Sequence, residues 1–223
     1  MKTANPPPTS PLVHVISAEN RHLYEEALQQ HHRIRHEIYI GERGWRGLQS
    51  RDGLEFDDYD NADTTYTLAM EGSRVIGGAR LYPTLKPHML SDVCPEIADV
   101  KGIPRGPDIF EWTRIFAVKD RREGRFGGAV VGRILCAGLE FCLSERITAL
   151  SLVFEAWWLP RLQSHGWTIK PLGLPGLIDG EWWLAAMLPI NDGVLRATRE
   201  HFQITEPVLV RQGLSKPALS KVA

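Results

Sequence analysis

Two strand-like runs held apart by only two residues constrain this chain more than any other feature. TYTLAME (65–71) and RVIGGARLYP (74–83) flank Gly72-Ser73. A glycine followed by a small polar residue suits a tight type II′ turn, so the pair reads as a β-hairpin. IFEWTRIFAVKD (109–120) reads as a third strong strand, LVHVIS (12–17) as a first one and TALSLVFE (148–155) as a later one. TIKPLG and EWWLAAMLPI supply the last strands.

Helical spacing fills the gaps. Leu23, Ala27, Ile34 and Ile38 share a helical face after LVHVIS, with Ser17 or Asn20 as cap and Gly41 and Gly44 as stops. KPHMLSDVCPEIADV reads as a short helical excursion interrupted by Pro95. AVVGRILCAGLEFCLSERI reads as an amphipathic-to-buried helix, and WWLPRLQSHGW as a short helix ending at Gly166. Strands and helices in this order predict a mixed sheet with helices on both faces, an α/β sandwich. The 223 residues show no internal repeat and no break in composition. A single domain over 12–194 is expected, between a disordered proline-rich leader (1–11) and a polar, frayed tail (195–223).

Composition excludes several classes. The chain is 43% hydrophobic and 24% charged, which suits an ordinary core. A net charge of −1 gives no basic field for nucleic acid. No apolar run has the length of a membrane span, and MKTANPPPTSP lacks the apolar core of a secretory signal. Cys94, Cys136 and Cys142 form no CxxC pair and read as reduced thiols of a cytoplasmic protein.

EFDDYDNAD (55–63) concentrates Glu55, Asp57, Asp58, Asp60 and Asp63 ahead of the hairpin. A calcium loop would need Gly at the sixth position, where a start at Asp58 places Asp63. Two readings stay open: a solvated turn, and carboxylates that attract an ammonium or sulfonium group with Trp45, Phe56 and Tyr59 around them. His31, His32 and His36 lie on one predicted helix without an HExxH pattern, so no metal is expected there. RREGRFGG suggests a phosphate-cradling loop at a helix start, but Phe126 stands where a small residue belongs. Glu111 and Arg114 lie three apart on one strand. A regular strand would point them to opposite faces, a β-bulge to the same one, and a plain cross-strand ion pair is the other reading.

Taken in order, Arg35-x3-Tyr39-x5-Trp45, Glu55-x-Asp57-x2-Asp60, Gly78-x-Arg80-Leu81-x-Pro83-Thr84 and Glu111-x2-Arg114 resemble the signature of the acyl-homoserine-lactone synthases, the bacterial autoinducer synthases of quorum sensing. The likeness spans about residues 12–190, and Tyr39 stands where many members have Phe. The resemblance implies a GNAT-like α/β/α sandwich with a splayed mixed β-sheet. It implies two substrates and no cofactor: S-adenosylmethionine, and an acyl thioester of coenzyme A or acyl carrier protein. The amine is acylated, the carboxylate displaces the sulfonium, and 5′-methylthioadenosine leaves. Glu111 is then the expected base, through water, and Asp57 and Asp60 orient the cationic end with Glu55 beside them. Arg35 and Arg80 face the substrate carboxylate or pair with those acids. Trp45 and Tyr39 close over it, and Arg114 braces Asp57.

By the same resemblance, strand 148–155 and Trp157-Trp158 line the acyl pocket, with Leu152 near its middle. Paired tryptophans shorten a pocket, and WWLP resembles members that use branched or aryl acyl-coenzyme A. The other reading makes the two rings helix-start core residues. The rival functions are a GNAT-type N-acetyltransferase acting on a small amine and a non-catalytic ligand sensor of the same fold.

Overall fold

The computed structural model describes residues 10–45, 47–122 and 128–215. In chain order its elements begin with β1 (Leu12–Ile16), α1 (Glu25–Arg35), the short ribbon β2 (Ser50–Arg51) and β3 (Leu54–Glu55), β4 (Thr65–Glu71) and β5 (Arg74–Pro83). There follow α2 (Met89–Asp92), β6 (Ile109–Ala117), α3 (Gly128–Ser144), β7 (Ala149–Glu155) and α4 (Leu159–Ser164). The chain ends with β8 (Lys170–Pro171), β9 (Gly176–Ile178), β10 (Glu181–Pro189), α5 (Asp192–Phe202) and β11 (Leu209–Val210).

One mixed sheet runs in the order β11-β1-β4-β5-β6-β7-β10-β8, with β9 paired to β10. Glu71 pairs directly with Arg74, so the hairpin turn is the two residues Gly72-Ser73, and Gly72 takes the positive φ of +60° that such turns require. β1 pairs parallel with β11, and β6 parallel with β7. Pairing between β6 and β7 runs only from Ile109–Ala149 to Trp112–Leu152. Beyond that point β6 continues to Ala117 and β7 to Glu155, so the two strands diverge into a V-shaped cleft.

Helices cover both faces, and Gly77-Gly78 shows how. A Cβ on Gly77 would meet Ile134 of α3 at 2.7 Å, whereas one on Gly78 would meet His31 of α1 at 3.2 Å. Successive strand residues face opposite ways, so α1 and α3 lie on opposite sides of β5. The close approach that the glycines suggest is therefore by helix side chains. The main core lies on the α3 side, where Trp112 packs into the space left by Gly138, together with Ile134, Leu150, Leu152 and Leu188. A second cluster on the other face gathers Leu90, Cys94, Ile97, Leu172 and Ala185, with Val153, Trp183 and Met187 against it.

Two local expectations change. Neither Ser17 nor Asn20 caps α1, which starts after Tyr24. The buried Asn20 side chain instead donates to the carbonyls of Val15 and Gln212, at 2.9 and 2.8 Å, tying β1 to the C-terminal segment. The frayed tail expected from residue 195 gives way to α5 and β11. Asn191 caps α5 by accepting from Val194 N at 3.1 Å, and Phe202 packs where Gly132 of α3 leaves room. Glu140 of α3 then accepts from Val208 N and Leu209 N at 3.1 and 3.0 Å, holding β11 on the sheet. Leader residues 1–9, tail residues 216–223, and Gly124 and Phe126 of the glycine loop lie outside the described residues. Arg121 of that loop pairs with Glu71 at 2.8 Å. The cysteines are free and buried.

Candidate active site

The site grows from a bulge. Gly78 pairs with Phe116 but Arg80 pairs with Thr113, so β6 carries one more residue than β5 over this stretch. Arg114 takes up the excess in a left-handed conformation, φ +54°. Such a bulge turns a side chain that regular alternation would send to the far face. Arg114 joins Thr113 and Glu111 on the α1 side, as the three-residue spacing requires.

There the acidic run meets the arginines in a closed ring. Arg35 donates to Glu55 and to Asp60, Arg80 to Asp57 with Asp60 3.2 Å away, and Arg114 to Glu55 and Asp57, both at 3.0 Å. Three guanidiniums alternate with three carboxylates, drawn from α1, β3, the loop after it, β5 and β6. The side chains of Arg35, Glu55 and Arg80 are fully enclosed, and Asp60 is 3% exposed. Matched charge is what makes such burial tolerable. Burial alone would raise the Asp60 carboxyl, but Arg35 and then Arg80 outweigh it and hold it far below the usual carboxylate range. Burial likewise works against Glu55, and Arg114 and Arg35 bring it below its usual value. Asp57, with 18% of its side chain exposed, is the carboxylate of the ring that meets solvent. Two donors in the ring, Arg80 Nη2 and Arg114 Nε, are buried without a partner among the described residues.

The excess charge of EFDDYDNAD is thus divided. Asp58 is exposed, and Asp63 pairs with Lys86 at 2.5 Å on the surface. The histidines on α1 support the ring from behind. His32 Nδ1 lies 2.9 Å from the Glu55 carbonyl, and buried His31 is held neutral by desolvation and then by Arg35.

Glu111 stands apart. It is fully buried, pairs with no arginine among the described residues, and accepts from Met89 N and Leu90 N at 3.1 and 2.7 Å. Burial raises its carboxyl above the ordinary glutamate value, against the opposing pull of the Leu90 amide and of positive charge nearby. A carboxylate with a raised proton affinity, next to the point where β6 and β7 part, is suited to accept a proton near neutral pH.

Aromatic rings close the other side. After α1 the chain continues as a π-helical stretch (His36–Glu42), with Arg43 N bonded to the Ile38 carbonyl, which brings Tyr39 onto β6. Tyr39 donates to the Ile115 carbonyl at 3.3 Å, and its ring lies 5.4 Å from the Arg114 guanidinium. Trp45 stacks on Tyr39 at 5.0 Å. Trp183 of β10 meets the edge of Trp45 at 5.6 Å.

The predicted acyl-pocket residues are not all brought to this site. Leu152 faces the main core beside Trp112. The residues of β7 that share the Glu111 face are Ser151, in register with Glu111, and Val153. Trp157 and Trp158 stack on each other at 4.7 Å just past the divergent end of β7, and Trp157 borders an open recess with Leu174, Pro175 and Trp182. The sequence reading missed the Met89 and Leu90 amides, Tyr66, whose hydroxyl donates to Asp60 at 2.7 Å, and Trp183. For Trp183 a signal existed, because period-two alternation along EWWLAAMLPI sets it on one face with Ala185 and Met187.

Comparison with known proteins bears on the family and the fold. A profile of the autoinducer synthase family matches residues 19–197. The chain belongs to the autoinducer synthase family. It is 47% identical to the isovaleryl-homoserine lactone synthase of Bradyrhizobium diazoefficiens, over 95% of this chain and 93% of that protein. The solved structure of BjaI, described as a CoA-dependent acyl-homoserine lactone synthase with SAM and isopentyl-CoA, superposes with a TM-score of 0.86 at 44% identity, covering 92% of this chain and 95% of that one. A putative N-acetyltransferase from Lactobacillus plantarum shares the fold alone, with a TM-score of 0.54 at 16% identity over 81% of this chain and 99% of that one. The splayed sandwich is GNAT-like, and within the family the chain is an acyltransferase.

Proposed function

We infer that the protein is an N-acyl-L-homoserine-lactone synthase that joins S-adenosylmethionine to a short branched or aryl acyl group carried by coenzyme A. The observation that carries this reading is Glu111, a buried carboxylate of raised proton affinity placed where β6 and β7 part. The family membership and the two CoA-linked relatives support the choice of substrates.

In this reading the ammonium of S-adenosylmethionine loses a proton to Glu111, through a water. The freed amine attacks the thioester carbonyl lying in the cleft between β6 and β7, and the thiolate of coenzyme A leaves. The substrate carboxylate then attacks its own γ-carbon, the carbon–sulfur bond breaks, and 5′-methylthioadenosine departs. The second step needs orientation rather than acid–base help, because a sulfonium is already a good leaving group. The unpartnered N–H groups of Arg80 and Arg114 are suited to grip that carboxylate. Asp57 is the ring member left to meet the cationic end, while Glu55, Asp60 and Arg35 serve as its enclosed frame. Tyr39 and Trp45 cover the bound amine. Trp157 and Trp158 border the acyl side, and Leu152 backs that strand from the core. Both reactants act as substrates, and the reading calls for no resident cofactor and for action in the cytoplasm, where both occur. Among the described residues no helix is long and apolar enough to cross a membrane.

The test is to incubate the purified protein with S-adenosylmethionine and isovaleryl-, cinnamoyl-, hexanoyl- and octanoyl-coenzyme A in competition, and to follow products by mass spectrometry. Equimolar 5′-methylthioadenosine and N-acyl lactone are expected, with a branched or aryl chain dominant. Acyl transfer without 5′-methylthioadenosine would overturn the reading. A preference for long straight chains on acyl carrier protein would overturn the donor.

A further inference from the structure

Trp183 belongs to no motif of the resemblance, yet the sheet register sets it on the working face. Along β10, Met187 is level with Ser151 of β7 and so with Glu111 of β6, while Trp183 is level with Glu155 at the divergent end. Ala185 and Val153 lie between, both on the same face as Trp183. Four residues of strand separate the level of Glu111 from that of Trp183, about 13 Å. An extended S-adenosylmethionine has about nine covalent bonds between its amine and its adenine, roughly 11 Å once the zigzag is allowed for. Trp183 also lies two strands across from Glu111, about 10 Å, so their backbones are roughly 16 Å apart. With the amine at Glu111, that reach plus the breadth of the purine brings the adenosyl end to the Trp183 ring.

The surroundings of Trp183 fit that end. Its ring is partly buried and packs edge-to-face with Trp45 at 5.6 Å, and Trp45 in turn stacks on Tyr39. Arg43 pairs with Glu155 at 3.0 Å beside it, bridging the loop that carries Trp45 to β7. The rings of Trp45 and Trp183 therefore come from opposite lips of the cleft. A flat aromatic surface at the far end of a charged site is what a purine requires, since bases stack on aromatic side chains irrespective of sequence.

We propose that Trp183 binds the adenosyl end of S-adenosylmethionine, forming with Trp45 the purine wall of the amine-substrate site. The proposal rests on the synthase reading above and adds a residue to it. Because 5′-methylthioadenosine keeps the adenosyl group and lacks the amine and carboxylate, it isolates this contact. In the Trp183→Leu protein the dissociation constant for 5′-methylthioadenosine, by calorimetry, and the KM for S-adenosylmethionine should both rise roughly tenfold. The KM for the acyl-coenzyme A should stay within about twofold, and Trp183→Phe, which keeps a ring, should restore most of the binding. A Trp183→Leu protein that binds 5′-methylthioadenosine as wild type does, or whose KM rises only for the acyl donor, overturns the proposal. If Trp183→Leu fails to fold, Trp183→Phe decides alone: an intermediate loss confined to the adenosyl ligands supports it, and no loss overturns it. Failure of the wild type to bind 5′-methylthioadenosine or to form lactone would instead bring down the synthase reading itself.

Discussion

Asp60→Asn tests whether the ion ring is structural in the sense argued. Asp60 Oδ1 accepts from Arg35 Nη1 and Tyr66 OH, both at 2.7 Å, and faces Arg80 Nη1 at 3.2 Å. Oδ2 accepts from Arg35 Nη2 at 2.9 Å and from the Asp57 amide at 2.8 Å. Five donors converge on two oxygens, so an asparagine must point its own N–H groups at donors and leave the ring one positive charge in excess. Removing one partner of a buried ionic pair costs about 3–5 kcal/mol. For a chain of this size each kcal/mol moves Tm by about 2–4 °C, so a fall of roughly 6–20 °C at pH 7 is expected. The pH dependence gives a second check. The folded protein holds the Asp60 carboxyl far below its ordinary value of 3.8, so its contribution is complete above about pH 5 and is lost as pH falls below that. Thermal melts of wild type between pH 5 and 2.5 should show a steep acid limb, and the variant a shallower one. A Tm within about 2 °C of wild type at pH 7, with an unchanged acid limb, would refute the reasoning.

Two other substitutions separate chemistry from folding. Glu111→Gln should lower lactone formation by roughly 10²–10⁴-fold, with Tm falling less than in Asp60→Asn, since the new amide N–H groups face one of the two backbone donors but no ionic pair is broken. The same raised proton affinity predicts that kcat/KM of wild type falls on acidification at a pH above the ordinary glutamate range, measured by initial rates across pH 5 to 8. His165, packed 4.5 Å from the His201 ring, is lowered to about 4 by burial first and then by its charged neighbours. Its unfolded form takes up a proton below 6.5, so this site costs stability as pH falls from 6.5 toward 4, about 2 kcal/mol at most by pH 5. Urea midpoints of His165→Phe should therefore change less than those of wild type between pH 7.5 and 5, and an identical change in both would contradict this.

Local patterns carried much of the fold. Two residues between alternating runs left a hairpin as the consistent outcome, and Glu111 three before Arg114 already required a bulge if both served one site. The motif order carried the family. The folded C-terminal segment was less legible, because α5 reads as polar until Phe202 is seen filling the space left by Gly132, 70 residues earlier. Leu152 was misplaced by one step of strand alternation, which flips a side chain to the other face.

What the sequence alone determined was which chemical groups are present: an acidic run, spaced arginines, aromatic rings and one strand glutamate. Their division of labour was decided in three dimensions. Glu55, Asp57 and Asp60 look like an unopposed anionic wall when read along the chain. Folding brings Arg35, Arg80 and Arg114 against them from three other elements, so the ring carries no net charge. Glu111, marked in the sequence only by motif order and its spacing to Arg114, is the buried carboxylate that this arrangement leaves without an arginine among the described residues, and burial raises its proton affinity. Charge type is a property of residues, but charge balance and desolvation are properties of neighbourhoods, and only the tertiary structure makes those.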